Sequence, residues 1–251
     1  MISIIIPTHD EAGHLPATLE AIARSHAPHE VLVVDAGSRD GTGELAREKG
    51  ARVQHEVRRH RAVQMNAGAK QARGDIFLFL HADTRLAPTA LDRIEAALKN
   101  PRVVGGGFAR RYDSGSLFLR ATCLLAEARS RLSGWFLGDQ AIFVRREIFE
   151  SVNGFREFAL FEDLDFSRRM RREGLLVTLR PPVVSSARRF ALHGPLRTTL
   201  ADFHLTLRYA LGRAPNDLAA RFGGARERAP RSVSQPRDPG AASAADPIHP
   251  R

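Results

Sequence analysis

Cysteine is nearly missing from this chain of 251 residues: Cys123 stands alone. No internal disulfide can form and a cysteine-rich metal site is excluded, which suits a reducing cytoplasm. Lysine is almost as scarce, at Lys49, Lys70 and Lys99 only, so nearly all of the positive charge is arginine. No apolar run approaches the ~20 residues that a membrane-spanning helix requires. No basic segment precedes an apolar run of signal-peptide length, so Ile2-Ser3-Ile4-Ile5-Ile6 reads as a first strand. A Gly-x-Gly-x-x-Gly turn is missing after that strand, and no Gly-x4-Gly-Lys-Ser/Thr loop occurs anywhere. Those two absences argue against a dinucleotide oxidoreductase and a P-loop nucleotide hydrolase. No internal repeat is visible.

What is present describes a globular protein. Apolar residues make up 43% and charged residues 26%, enough for a sizeable core with an ordinary surface. The formal net charge of +10 raises the question of nucleic acid. The candidate functional positions are carboxylates, however, which would repel a phosphate backbone, so nucleic acid is not the expected partner. An anionic substrate or an anionic membrane surface accounts for the charge equally well.

The first hundred residues alternate strand and helix. Continuous apolar runs at Ile2–Ile6, Val31–Val34 and Ile76–Leu80 have the pattern of strands buried on both faces. Helices are expected after Asp10-Glu11, after Gly41-Thr42 and across 60–72, with a short strand at Arg52–His55. This alternation predicts an α/β fold with a mostly parallel, Rossmann-like sheet between helical layers. In the second half, Val103–Tyr112 reads as a strand weakened by Gly105-Gly106-Gly107, and Ala141–Val144 as a short strand. Leu117, Ala121, Leu124, Ala128 and Leu132 have helical spacing, and Leu164–Arg172 reads as a helix closed by Gly174. Leu196, Leu200, Phe203, Leu207 and Leu211 form one apolar stripe, expected to pack into the core, the alternative being an anionic membrane surface. Residues 223–251 are rich in Pro, Arg, Ser, Ala and Gly and read as a disordered tail. The expected organisation is one domain over 1–222, in two halves that meet at about residue 110.

Parallel strands place their carboxyl ends on one edge, where ligands bind. The three confident strands end in Pro7-Thr8, in Asp35 and in His81-Ala82-Asp83, so a hydroxyl and two carboxylates should converge there. Unpaired carboxylates at such an edge are costly unless they meet a cation or hydrogen-bond donors. Taken singly, Asp35 could cap a turn and Asp83 could be an ordinary strand-to-loop junction.

The stretches IIIPTHDEAGHLPATLEAI, EVLVVDAGSRDGT, QMNAGAKQARGDIFLFLHADTRL, GDQAIFVRREIFESVNGF and LFEDLDFSRRMRREG occur in this order. Together they resemble the inverting nucleotide-sugar glycosyltransferases of family two, which have the GT-A fold, over roughly residues 1–190. The finer pattern is similar to a bacterial subgroup whose acceptor is uncertain. The resemblance implies a three-layer α/β/α sandwich in which Pro7, Thr8, Glu11 and Asp35 line the nucleotide pocket, with Asp35 accepting a hydrogen bond from uracil or guanine. A UDP- or GDP-sugar would be the donor and a hydroxyl compound the acceptor. Asn66 and Gly68 match the family's Asn-x-Gly segment beside the nucleotide-sugar. The family's Asp-x-Asp metal motif reads His81-Ala82-Asp83 here, which keeps Asp83 as ligand to Mg²⁺ or Mn²⁺. It leaves His81 either as a second ligand or as a structural histidine. Asp163 matches the family's general base, with Glu162 as the alternative, and the dipole of the following helix should help to hold Asp163 ionised. Asp139 would touch the acceptor or the donor sugar. Arg189, in Ser186-Ala187-Arg188-Arg189-Phe190, would hold the diphosphate or belong to a solvated loop. Arg58-Arg59-His60-Arg61 reads as a surface charge run or a diphosphate-facing loop, and Trp135-Phe136 as a sugar platform or core. The rival readings are a non-catalytic nucleotide-sugar-binding protein and a sugar nucleotidyltransferase. The expected location is the cytoplasm, with peripheral contact at the inner face of the membrane as an option.

Overall fold

Every second residue of the first strand, β1 (Ile2–Thr8), faces the same side, and both sides are covered. Ile2, Ile4 and Ile6 enter one apolar cluster and Ile5 enters another on the opposite face. β1 is therefore central, as an uninterrupted apolar run requires. In the computed structural model, which describes residues 1–222, β1 pairs in parallel with β2 (His29–Asp35) and with β4 (Ile76–Phe79), and β2 with β3 (Arg52–His55). The sheet continues through β7 (Ile142–Arg145), β6 (Val103–Tyr112), β8 (Leu175–Ser185) and β5 (Thr84–Arg85), giving the order β3-β2-β1-β4-β7-β6-β8-β5. β7 runs antiparallel to both neighbours, whereas β6 and β8 are parallel. The result is a mixed α/β structure with a mostly parallel central sheet.

Helices α1 (Leu15–Ile22), α2 (Thr42–Glu48) and α4 (Ala90–Leu98) cover one face, with Leu15, Leu19, Ile22, Ala46, Leu91 and Ile94 in its apolar cluster. The other face is covered by α3 (Arg61–Gln71), α6 (Arg146–Ser151) and α7 (Glu162–Glu173). There Phe77, Phe79, Phe149, Phe155 and Phe166 meet largely edge to face, as aromatic quadrupoles prefer. The expected three layers are thus present.

Two elements depart from the sequence expectations. β8 carries Pro181-Pro182, which argues against a central strand. The sheet absorbs them in a register shift, where Phe108 pairs with Leu179 and Arg110 already with Val183. The stripe of α9 (Pro195–Ala210) and its following residue Leu211 does not pack into the core. Leu196, Leu200, Phe203, Leu207 and Leu211 are 45–76% exposed, while Thr198, Leu205 and Tyr209 face inward. The long helix α5 (Leu117–Ser133), N-capped by the Ser116 hydroxyl, behaves alike: it buries Leu119, Cys123 and Ala126 and exposes Leu117, Leu124 and Leu132. A short α8 (Arg188–His193) precedes α9, and α10 (Pro215–Phe222) ends the described residues. The expectation of a disordered tail falls outside them.

Candidate active site

The β1 and β2 registers set Thr8 beside Asp35 at the carboxyl edge of the sheet. Thr8 Oγ1 donates to Asp35 Oδ1 at 3.0 Å, the Ser38 amide donates to Asp35 Oδ2 at 3.0 Å, and the Ser38 hydroxyl also bonds to Oδ1. Behind them the buried Gln64 donates to the carbonyls of Thr8 and Val34, both at 2.8 Å. The only sequence signal of this clamp is a glutamine on the apolar face of a helix.

The chain leaving β4 carries His81 and Asp83 along the same edge. Arg188 forms a two-pronged pair with Glu11, at 2.9 and 2.7 Å, and lies 3.3 Å from Asp83. Two carboxylates therefore share one guanidinium. Burial raises the Asp83 pKa above its ordinary value, opposed by Arg188 and reinforced by Glu11. Arg189, expected either to hold the diphosphate or to lie in a solvated loop, pairs with Asp202 on α9, whereas its neighbour Arg188 faces the carboxylates. A short helix advances its side chains by about 100° per residue, so neighbours in sequence cannot face the same target.

Pro7, Arg61, His81, Gly138, Glu162 and Asp163 line one narrow cavity next to this edge. Glu162 and Asp163 open α7 directly after Phe161, whose backbone is left-handed (φ 65°), a conformation uncommon for a bulky residue. Arg61 Nη1 lies 3.1 Å from Glu162 Oε1 and also feels the charges of Asp163 and Asp83. Arg61 thus belongs to the site, whereas Arg58 pairs at the surface with Glu157. Asp163 has no ion pair among the described residues. Its Oδ2 accepts from the Gly138 amide and its Oδ1 from the Leu164 amide, both at 2.7 Å. Burial, with Glu162 beside it, pushes its pKa up to about 7. The helix dipole was expected to help hold Asp163 ionised; desolvation, the larger influence, acts the other way.

His81 packs against the same wall. A Cβ on Gly138 would come within 2.5 Å of His81 Nε2, so only glycine admits the ring. Burial and Arg61 lower the His81 pKa to about 3, which keeps the imidazole neutral. Among the described residues Nε2 has no hydrogen-bond partner. The neighbouring Asp139 pairs with Arg110 and accepts from the Tyr112 hydroxyl at 3.3 Å, yet its Oδ1 is likewise buried without a partner. Burial alone would raise Asp139, but Arg110, joined by His81 and Arg129, holds it below the ordinary carboxylate range.

Two expected ligand contacts lie elsewhere. Asn66 accepts from the Phe155 amide at 2.9 Å and donates to its carbonyl at 2.8 Å, so it fastens the loop before α7. Gly68 lies under the sheet, where a Cβ would meet Ile5 at 2.5 Å and Val34 at 2.9 Å. It lets α3 approach closely and does not reach the cavity. Phe136 is core, and Trp135 packs beside Leu160 and Leu164.

Asp83 fits a divalent cation only in part. Among the described residues no group of three or more His, Cys, Asp or Glu could hold a metal ion. His81 turns toward Gly138 and is not grouped with Asp83. A single carboxylate in an acid-rich edge suits a hard cation whose remaining ligands are phosphate oxygens and water.

Comparison with known proteins agrees with this architecture. The profile of Glycosyl transferase family 2 matches residues 3–192. The PGL/p-HBAD biosynthesis glycosyltransferase of Mycobacterium bovis is 31% identical over 221 residues, covering 80% of this chain and 81% of that protein. The undecaprenyl-phosphate 4-deoxy-4-formamido-L-arabinose transferase of Aeromonas hydrophila is 29% identical over 161 residues, 58% of this chain and 48% of its own. The chain thus spans about half the length of that relative. Among solved structures, the mannosyltransferase PcManGT from Pyrobaculum calidifontis, in complex with GDP-Man and Mn²⁺, superposes with a TM-score of 0.67 at 23% identity, over 90% of this chain and 68% of that one. S. aureus TarS superposes with a TM-score of 0.60 at 19% identity, over 74% and 60%. Those two likenesses show a shared fold. With the profile running from β1 into α8 and the strand-end carboxylates gathered on one edge, the chain belongs to glycosyl transferase family 2.

Proposed function

We propose that the protein transfers a sugar, with inversion, from a UDP- or GDP-sugar to an acceptor hydroxyl. The observation that carries this reading is Asp163: a buried carboxylate with no direct ion pair among the described residues, lining a cavity, with its pKa pushed up to about 7. A general base works best when its pKa lies near the working pH. Asp163 takes the proton of the acceptor hydroxyl as that oxygen attacks the anomeric carbon, and one direct displacement inverts that centre. Glu162 is the weaker candidate because Arg61 already holds it. The Gly138 amide orients Asp163, and the unpaired His81 Nε2 and Asp139 Oδ1 suit sugar hydroxyls.

On the other wall, Asp35 and Thr8 face the base, with Pro7 at the cavity mouth. Asp83 would hold Mg²⁺ or Mn²⁺ together with the diphosphate, and Arg188, more than Arg189, is placed to pair with phosphate oxygens. When bound, such a cation would neutralise the charge that grows on the departing diphosphate. A complex between a relative of this fold and GDP-Man with Mn²⁺ supports that choice.

Thermal unfolding with UDP and GDP, with and without Mn²⁺ or Mg²⁺, tests the donor side. A ligand at a hundred times its Kd stabilises by about 2.7 kcal/mol. One of the two nucleotides should give a shift that grows with the cation; no shift with either would sink the proposal.

A further inference from the structure

The outward faces of α5 and α9 are apolar where solvent should favour polar residues. α9 exposes Leu196, Leu200, Phe203 and Leu207, and α5 exposes Leu117, Leu124, Leu125 and Leu132, each at least 45% open. The two helices lie against each other. Monomeric proteins rarely expose apolar patches beyond a few hundred Å² without a binding role. Among the described residues no helix is long and apolar enough to cross a membrane.

We propose that this two-helix face docks onto the surface of an anionic phospholipid bilayer. Charge selects that partner. Helices α5, α8 and α9 carry seven arginines against two acidic residues, Glu127 and Asp202; Arg131, Arg188 and Arg189 are held in ion pairs and Arg129 turns inward to Gln140. Both acids are already engaged, Glu127 with Arg131 and Arg180 and Asp202 with Arg189. Arg120 and Arg197 are exposed and have no ion pair among the described residues. An apolar stripe flanked by arginine is the pattern of helices that lie in the headgroup layer, where each basic side chain adds attraction to anionic lipid. A second copy of the chain fits less well, since pairing this face with itself sets arginine against arginine with no unengaged acid to answer it. Residues 223–251 contain only Val233 and Ile248 as large apolar residues, too few to cover two helices.

The docked orientation also reaches the candidate base. The inward face of α9 packs Leu205 and Tyr209 against Leu160, Phe161 and Leu164. The Tyr209 ring stacks on Phe161 with centroids 4.9 Å apart, directly before Glu162-Asp163. A bilayer beneath α9 would therefore lie about one helix diameter, ~10 Å, from the segment carrying Asp163. Resting on the transferase reading, the acceptor class that follows is a hydroxyl held at the bilayer surface by an apolar anchor.

Flotation of the full chain with phosphatidylglycerol–phosphatidylcholine vesicles, and with phosphatidylcholine alone, tests the docking. The protein should float with the anionic vesicles and much less with the neutral ones. L200E/F203E should lower the bound fraction roughly hundredfold, and Leu124→Glu about tenfold, because each places a charge where an apolar side chain is buried. Unchanged circular dichroism and an unchanged thermal shift with nucleoside diphosphate would show that the variants fold. Failure of the wild-type chain to float while it still responds to nucleotide overturns the docking and leaves the transferase reading intact. Equal flotation of L200E/F203E, or a dimer that this variant splits in sedimentation while vesicle binding persists, overturns it too.

Discussion

The two walls of the cleft treat their polar atoms in opposite ways. On the β1–β2 wall, Asp35 accepts from Thr8 and Ser38, and Gln64 clamps the carbonyls behind them. On the wall formed by His81, Gly138, Asp139 and α7, two buried polar atoms have no partner and Asp163 is held near neutrality. The first wall is satisfied without a ligand and should hold its shape in the free protein. The second keeps desolvated groups in place at a cost to stability that a bound ligand would relieve, the usual sign of a site where chemistry occurs.

The contrast can be broken most sharply at Asp163. Asp163→Asn should lower kcat about 10³-fold, within the range for a lost general base, with the Kd for nucleoside diphosphate unchanged. The same substitution should raise stability near pH 8 by on the order of 2 kcal/mol, because a buried charge is removed. A variant that loses stability and keeps its turnover would make Asp163 a structural cap.

Acidity gives the next test. With a pKa of about 7 in the free enzyme, kcat/KM should rise about tenfold per pH unit below 7 and level off above it. Stability follows a definite sign. Asp163 holds its proton more tightly folded than unfolded, so its contribution is present below the ordinary carboxylate pKa and is lost as pH rises through about 7. His81, lowered to about 3, acts in the opposite sense, and stability is lost as pH falls from 6.5 towards 3. Denaturant titrations of Asp163→Asn and His81→Gln across that range should each remove one of the two slopes.

Smaller effects compare the walls indirectly. Asn66→Ala should destabilise by about 1–3 kcal/mol, since it strands both backbone groups of Phe155, while nucleotide affinity stays within about twofold. A large loss of affinity instead would return Asn66 to the ligand. Arg188→Ala should weaken nucleoside diphosphate binding about tenfold. Arg189→Ala, which breaks an exposed pair with Asp202, should change stability by less than about 1 kcal/mol and leave binding alone.

Much of the frame was legible in the chain. The all-apolar Ile2–Ile6 run, the β2 run ending at Asp35 and the glycine-closed helices all announce buried parallel strands with helical cover. Helix α4 is equally legible, since Leu91, Ile94 and Leu98 recur at helical spacing. β8 was hidden because its proline pair contradicts a strand until the sheet's register shift accommodates it. The site was partly legible: carboxylates at strand ends were expected at one edge, but their counter-ions were not. Arg61 stood within a basic run that did not single it out from Arg58, and Arg110 and Tyr112 beside Asp139 left no trace in spacing. The stripe on α9 showed its period but not which way it faced.

Local patterns of apolar and polar residues determined the strands, most of the helices and the edge at which the acids gather, because periodicities of two and 3.6 act over a few residues. Protonation and pairing were decided only in three dimensions. Arg188 meets Glu11 across 177 residues, and Arg61 meets Glu162 across 101. Desolvation of Asp163 and His81 sums over residues from widely separated segments of the cavity wall, from Pro7 to Asp163, and that sum has no counterpart in any short stretch of chain.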